Sequence, residues 1–327
     1  MYIKVPSALS ELTVGLLVQK IDFFDGTDSE ITIDLSDLRI AYPIGSLVFA
    51  QFLKYNKDSK GRILKFVSSD THTNPISYLE YVGFFKFLGE NPPQAVQVPT
   101  NKTYVPMGVL ERSNLLGLVY DEKLNGKKDY LLQDAIELCS DNYSQWMFDK
   151  VEPVFSYCFR EIIRNVFEHT GCLYCSVFGQ IYPKRDEVEI CIADSGRGIR
   201  NSLSEKFGEN IDDEWAIKNA ILPGITSGSV KNSGRYDNSG FGLYVLSKIA
   251  ERFGYMWIGS CSKMLKISRQ GIQTYDGCYP GTFVGINFKY SSLLKNRTQI
   301  QDIIREGETR SQQLGIYGKA STSTKDI

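Results

Sequence analysis

The segment Arg160-Glu161-Ile162-Ile163-Arg164-Asn165-Val166-Phe167-Glu168-His169-Thr170, REIIRNVFEHT, sets a carboxylate, an amide and an imidazole four residues apart inside an apolar, helix-forming run. On an α-helix each step of four residues turns a side chain by about 40°, so Glu161, Asn165 and His169 share one stripe. A polar stripe on an apolar helix is either a solvated face or a site. Segments farther along the chain favour a site.

Two apolar-periodic helices, DYLLQDAIELCSDNYSQWMF (129–148) and VEPVFSYCFREIIRNVFEHT (151–170), precede an alternating pair, CLYCSVFGQI (172–181) and EVEICIA (187–193), around the turn Pro183-Lys184-Arg185-Asp186. That pair predicts a hairpin, and helices feeding an antiparallel sheet predict a two-layer α/β sandwich. At the end of the second strand stands Asp194-Ser195-Gly196-Arg197-Gly198, a carboxylate with two glycines at DxGxG spacing. Farther on, Asn238-Ser239-Gly240-Phe241-Gly242-Leu243 opens the amphipathic run YVLSKIAERFG. Each piece suits part of a nucleotide. A carboxylate at a strand end accepts a hydrogen bond from an exocyclic amine, and glycines let backbone approach a flat ring, as adenine requires. A glycine-rich loop running into a helix offers unpaired N–H groups and a positive dipole end to phosphate. An Asn oxygen is a hard ligand for Mg²⁺, and a neighbouring Glu can orient or deprotonate a nucleophile.

In this order the motifs resemble the GHKL, or Bergerat-fold, ATPases: gyrase B-subunit, the ninety-kilodalton heat-shock chaperone, histidine kinases, MutL-type repair proteins and anti-sigma-factor serine kinases. Glu161 and Asn165 match the ExxxN box; Asp194, Gly196 and Gly198 match the first glycine box; Gly240, Gly242 and Leu243 match the second. Pro280-Gly281-Thr282-Phe283-Val284-Gly285-Ile286-Asn287-Phe288 matches the family's last strand, and the similarity spans 128–290. The resemblance implies ATP and Mg²⁺ as ligands, Glu161 as general base, Asn165 as the Mg²⁺ ligand and Asp194 as the adenine reader. It further implies Thr282 on the adenine side and His169 toward phosphates or ribose, where a structural histidine is the alternative. Residues 200–238 would form the ATP lid, with Lys231 and Arg235 as candidates for the γ-phosphate. No GxxxxGK[ST] phosphate loop occurs.

The N-terminal part alternates differently: strand ITIDL (31–35), helix YPIGSLVFAQFLKY (42–55), strand RILKFVSS (62–69) and a helical pattern ISYLEYVGFFKFLG (76–89). Strand alternating with helix predicts a parallel α/β layer. Residues 28–90 resemble a STAS domain, the fold of anti-sigma-factor antagonists, although Tyr42-Pro43-Ile44-Gly45 stands where the family's phosphorylatable serine falls and Ser46 only follows it. A docking role for a protein partner is what this resemblance implies. The expected organisation is α+β: 1–106 STAS-like, 107–127 linker, 128–290 ATP-binding, and 291–327 a helix (NRTQIQDIIREGE) with a flexible tail.

The bulk composition narrows the classes. The 327 residues carry 37 Lys+Arg and 38 Asp+Glu, which gives no chain-wide electrostatic case for nucleic acid or an anionic membrane. No run approaches the roughly 20 apolar residues of a membrane span and no leader pattern opens the chain, so a soluble, cytoplasmic protein is expected. The seven cysteines read as reduced core thiols. Cys172-Leu173-Tyr174-Cys175 has metal-pair spacing but no second pair. The helices at 128–170 could pair two chains as a homodimer, but their apolar faces read better as cover for the sheet. Three functions compete: an ATP-hydrolysing switch, a protein kinase of the anti-sigma type acting on a partner's hydroxyl, and a sensor without chemistry. Histidine autokinase fits poorly, since His72 falls in SSDTHTNP, and the gyrase and MutL architecture lacks room for its second domain.

Overall fold

The computed structural model describes residues 1–19, 28–69, 73–93, 104–115, 132–148, 152–227, 239–296, 298–316, 319–321 and 325. Strands β1 (Tyr2–Lys4), β3 (Glu30–Asp34) and β5 (Ile63–Val67) form a parallel sheet in the order β1-β3-β5, and β2 (Ala8–Leu9) pairs in parallel with β4 (Ile40–Ala41). Helices α1 (Glu11–Gln19), α2 (Pro43–Lys60), α3 (Thr73–Tyr81) and α4 (Phe84–Leu88) accompany these strands. Pro43 opens α2, where its missing N–H costs nothing, and Gly61 at φ 65° closes it. The single helix predicted over 76–89 is broken at Gly83, φ 84°, where the Met107 N–H takes the Val82 carbonyl at 2.9 Å.

Strands β6 (Tyr104–Glu111), β7 (Tyr174–Tyr182), β8 (Glu187–Ala193), β9 (Gly254–Ser268) and β10 (Gly271–Lys289) form a five-stranded antiparallel sheet in the order β6-β7-β8-β10-β9. Two expected boundaries change here. Residues 107–111, expected in the linker, and 104–106, expected to end the N-terminal unit, form one strand at the sheet edge. An edge tolerates Pro106, and the pairing shifts register between Val105 and Gly108 to pass it. Residues 116–127 of the expected linker lie outside the described residues.

Alternation along the strands fills two cores. Cys175, Val177, Val188, Ile190, Ile192, Val284 and Ile286 face helices α5 (Leu132–Phe148), α6 (Pro153–Asn165) and α9 (Gly242–Phe253). Helices α7 (Gly198–Phe207) and α8 (Asp213–Ala220) lie between β8 and α9 in the chain. The apolar faces of α5 and α6 thus cover the sheet. The opposite residues, Phe178, Cys191, Ala193, Trp257 and Phe283, share a core with Ile44, Val48 and Phe52 of α2. The expected two-layer sandwich is therefore backed by a further layer, the N-terminal unit, because both faces of the sheet carry apolar side chains. Helices α10 (Tyr290–Lys295) and α11 (Thr298–Gln313) follow β10; Ile300, Ile303 and Ile304 enter the first core, and Ala320 and Ser321 are buried, so this part of the expected flexible tail packs on the body. Among the described residues, no helix is long and apolar enough to cross a membrane.

The contact between α2 and the sheet includes a buried carboxylate. The Ile44 N–H at the start of α2 donates to Glu189 Oε1 at 3.0 Å, and Asn287 Nδ2 donates to Oε2 at 3.3 Å. A Cβ at Gly285 would stand 2.6 Å from Ile44 Cδ1, so glycine there admits the helix end. Burial, with the nearby Glu11 carboxylate, pushes the Glu189 carboxyl up to about 8 despite those two donors. A group raised in the folded state stabilises fully below its ordinary value and loses that contribution as pH climbs through the folded value. Glu189→Gln keeps the shape and cannot ionise, so its stability relative to wild type should grow from about pH 5.5 to about pH 9, by on the order of a few kcal/mol. Urea unfolding at the two pH values checks this; a constant difference would contradict it.

Candidate functional site

Helix α6 ends at Asn165, and Val166–Thr170 continue it as a π-helical turn closed by Gly171 at φ 75°. His169 lies in this widened turn, and its Nδ1 lies 3.0 Å from Ser227 Oγ. The His169 carbonyl accepts from Arg197 Nε at 2.7 Å and Ser202 Oγ at 2.8 Å, which ties the turn to the start of α7. Such local wide turns are common where a helix serves a site.

An open cavity lies between α6, the π turn, the sheet and the starts of α7 and α9. Glu161, Asn165, His169, Asp194, Gly198, Gly240, Gly242, Leu243 and Thr282 all line it. Gly196, the remaining sequence candidate, stands behind the wall: a Cβ there would lie 2.5 Å from Thr170 Cβ.

Glu161 is buried, with Oε1 at 3.4 Å from Arg160 Nε and 3.7 Å from Arg164 Nη1. A Cβ on Gly242 would come within 2.4 Å of Oε2, so the glycine lets the first turn of α9 approach this carboxylate closely. A negative group at a helix N-terminus is favoured by the dipole. Asn165 Nδ2 is buried with no hydrogen-bond partner among the described residues. An orphaned buried amide costs about 1 to 3 kcal/mol, which marks a place where a bound group would complete the contacts.

Asp194 is 3% exposed, and its Oδ1 accepts from the Gly196 N–H at 2.7 Å. Burial pushes its carboxyl up to about 7, against the pull of the Gly196 N–H and the Thr282 backbone. Gly281 presses on the same loop, where a Cβ would lie 2.3 Å from the Asp194 carbonyl oxygen. Thr282 Oγ1 is 3.2 Å from Ser260 Oγ, which accepts from the Ile199 N–H at 2.9 Å and so links the last strand to α7. Gly240 takes φ 68°, and its carbonyl accepts from the Gly224 N–H at 3.0 Å.

Arg164, Thr226 and Ser227 also line the cavity, and the sequence alone does not single them out. The signal for Thr226 and Ser227 is the polar, glycine-flanked stretch GITSGSVKNSGRYDNSG; that for Arg164 is its spacing from Glu161 and Glu168, with which it makes ion pairs. Of the expected lid, 200–207 and 213–220 are helical, while Lys231, Arg235 and Asn238 lie outside the described residues, as does His72. All seven cysteines are free thiols; Cys175 is buried and Cys172 half-buried.

The donor set has a defined chemistry. Two buried carboxylates, one orphaned amide and the N-termini of two helices converge on one cavity, which therefore offers hydrogen-bond acceptors together with the positive ends of helix dipoles. Compared with models of protein families, with curated proteins and with solved structures, the chain matches none.

Proposed function

We propose that the chain binds Mg·ATP in this cavity and hydrolyses it, acting as a nucleotide-dependent switch of the GHKL, or Bergerat-fold, type. The observation that carries the reading is the convergence of four distant segments, 161–169, 194–198, 240–243 and 282, on one cavity. In this reading Asp194 accepts from the exocyclic amine of adenine, with Thr282 beside it. The N–H groups at the start of α9, beside Gly240, Gly242 and Leu243, receive phosphate oxygens. The Asn165 side-chain oxygen would hold Mg²⁺, and the orphaned Nδ2 supports an amide kept for a ligand. Bound Mg²⁺ neutralises phosphate charge and polarises the terminal phosphoryl group. Glu161 takes the proton of the attacking water, and His169 faces the phosphates or ribose. The β1-β3-β5 unit is the STAS-like part in this reading. Its helix α2 is buried on the sheet, so a protein partner would meet it on another face.

The reading is tested by ATP turnover with Mg²⁺, scored as free phosphate and as protein-bound label. Free phosphate supports hydrolysis; label retained on protein would replace it by phosphoryl transfer to a side chain; the absence of both would overturn the catalytic role of Glu161.

A pH dependence is expected from Asp194. An amine donor binds the ionised carboxylate best, and burial holds that carboxyl near 7. Affinity for adenosine, which has no phosphate to titrate, should fall below that pH, approaching about tenfold per unit. Asp194→Asn should remove the dependence. Calorimetric titration between about pH 5.5 and about pH 8.5 checks it, and a flat wild-type profile would count against Asp194 as the amine acceptor.

A further inference from the structure

Helix α2 belongs to the N-terminal unit, yet one of its side chains reaches the loop that carries Asp194. Gln51 is 4% exposed. Its Nε2 donates to Ser195 Oγ at 2.6 Å, and its Oε1 accepts from Ser176 Oγ on β7. Each end of the Gln51 amide thus meets a serine hydroxyl, one on β7 and one on the Asp194 loop. Ser195 sits between Asp194 and Gly196, and it is the Gly196 N–H that donates to the Asp194 carboxylate at 2.7 Å. From the other side β10 holds the same loop: the Asp194 N–H donates to the Thr282 carbonyl at 2.9 Å. Val48 and Phe52 of the same helix line a narrow crevice with Asp194 and Phe283, so α2 and this loop lie against each other.

We infer that Gln51 is a positioning residue: it holds the Asp194–Gly198 loop where its carboxylate meets a ligand's donor, and so links the seating of the N-terminal unit to occupancy of the cavity. The identity of the ligand rests on the nucleotide reading. Because linkage is reciprocal, whatever loosens α2 weakens binding, and binding tightens α2 on the sheet.

Gln51→Met keeps the length and removes both polar ends. The full chain, wild type and variant, is titrated with a non-hydrolysable ATP analogue plus Mg²⁺ and with its inosine counterpart, which carries oxygen in place of the exocyclic amine. The variant should bind the ATP analogue about tenfold more weakly, the effect of one hydrogen bond, and the inosine analogue within about twofold of wild type. Ser195→Ala cuts the same tie from the loop and leaves α2 intact; the double variant should be no weaker than the singles. Equal losses for both nucleotides, or additive losses in the double variant, would reduce Gln51 to packing and overturn the inference. In ligand-free protein, amide exchange at 194–198 should quicken about tenfold in Gln51→Met, and unchanged exchange would also overturn it. Wild-type protein that binds neither nucleotide would sink the nucleotide reading, and the exchange measurement would still decide whether Gln51 holds the loop.

Discussion

Glu161→Gln is expected to slow phosphate release from ATP by about a hundredfold or more, with nucleotide affinity changed by less than about threefold. The side chain is buried, one oxygen beside Arg160 and Arg164 and the other beside Gly242 at the start of α9. Glutamine preserves that shape but cannot take a proton from water. The two arginines keep acidic neighbours, Glu137 for Arg160 and Glu168 for Arg164, so the variant does not strand them. Single-turnover kinetics separates the chemical step from binding. Unchanged release in the variant would show that Glu161 serves structure alone, as a carboxylate that caps α9 and pairs two guanidinium groups.

Asn165→Leu should act in opposite directions on stability and on binding. The Nδ2 of Asn165 is buried without a partner among the described residues, beside Ile162, Val166 and Val284 on the cavity wall. Replacing it by an apolar side chain of similar volume relieves an unmet hydrogen bond, so the ligand-free variant should gain about 1 to 3 kcal/mol in urea unfolding. The same change removes the oxygen proposed for Mg²⁺, and Mg·ATP affinity should drop about a hundredfold, close to 3 kcal/mol. Residues that serve a ligand often lower the stability of the empty protein in this way. A variant that loses stability and keeps Mg·ATP affinity would place Asn165 among ordinary structural residues.

Much of the site is legible in the sequence because its parts are local. The ExxxN spacing puts Glu161 and Asn165 one turn apart, the DxGxG and GxG segments fall at a strand end and a helix start, and these structural contexts are observed. His169 shows where local reasoning stops. The spacing alone predicts an α-helical stripe, but the chain widens into a π turn after Asn165, and its carbonyl and ring are held by Arg197, Ser202 and Ser227 from later segments. The back of the sheet has no local signature for a related reason. Ser176, Gln180, Glu189 and Asn287 alternate with apolar residues, and nothing in these strands alone says what covers them. They are buried against the N-terminal unit and satisfied by it or by one another; Ile44, which caps Glu189, is 145 residues away. Strand β6 is hidden by its flanking prolines and polar residues, and its pairing with β7 has no local signature.

The cavity beside the five-stranded sheet is proposed to take an adenine nucleotide. The decisive experiment is a calorimetric titration of the full chain with a non-hydrolysable ATP analogue and Mg²⁺, beside the inosine analogue. One saturable site, with the adenine form bound about tenfold or more tightly, is the predicted result. Equal affinity for the two bases, or no binding of either, would contradict it.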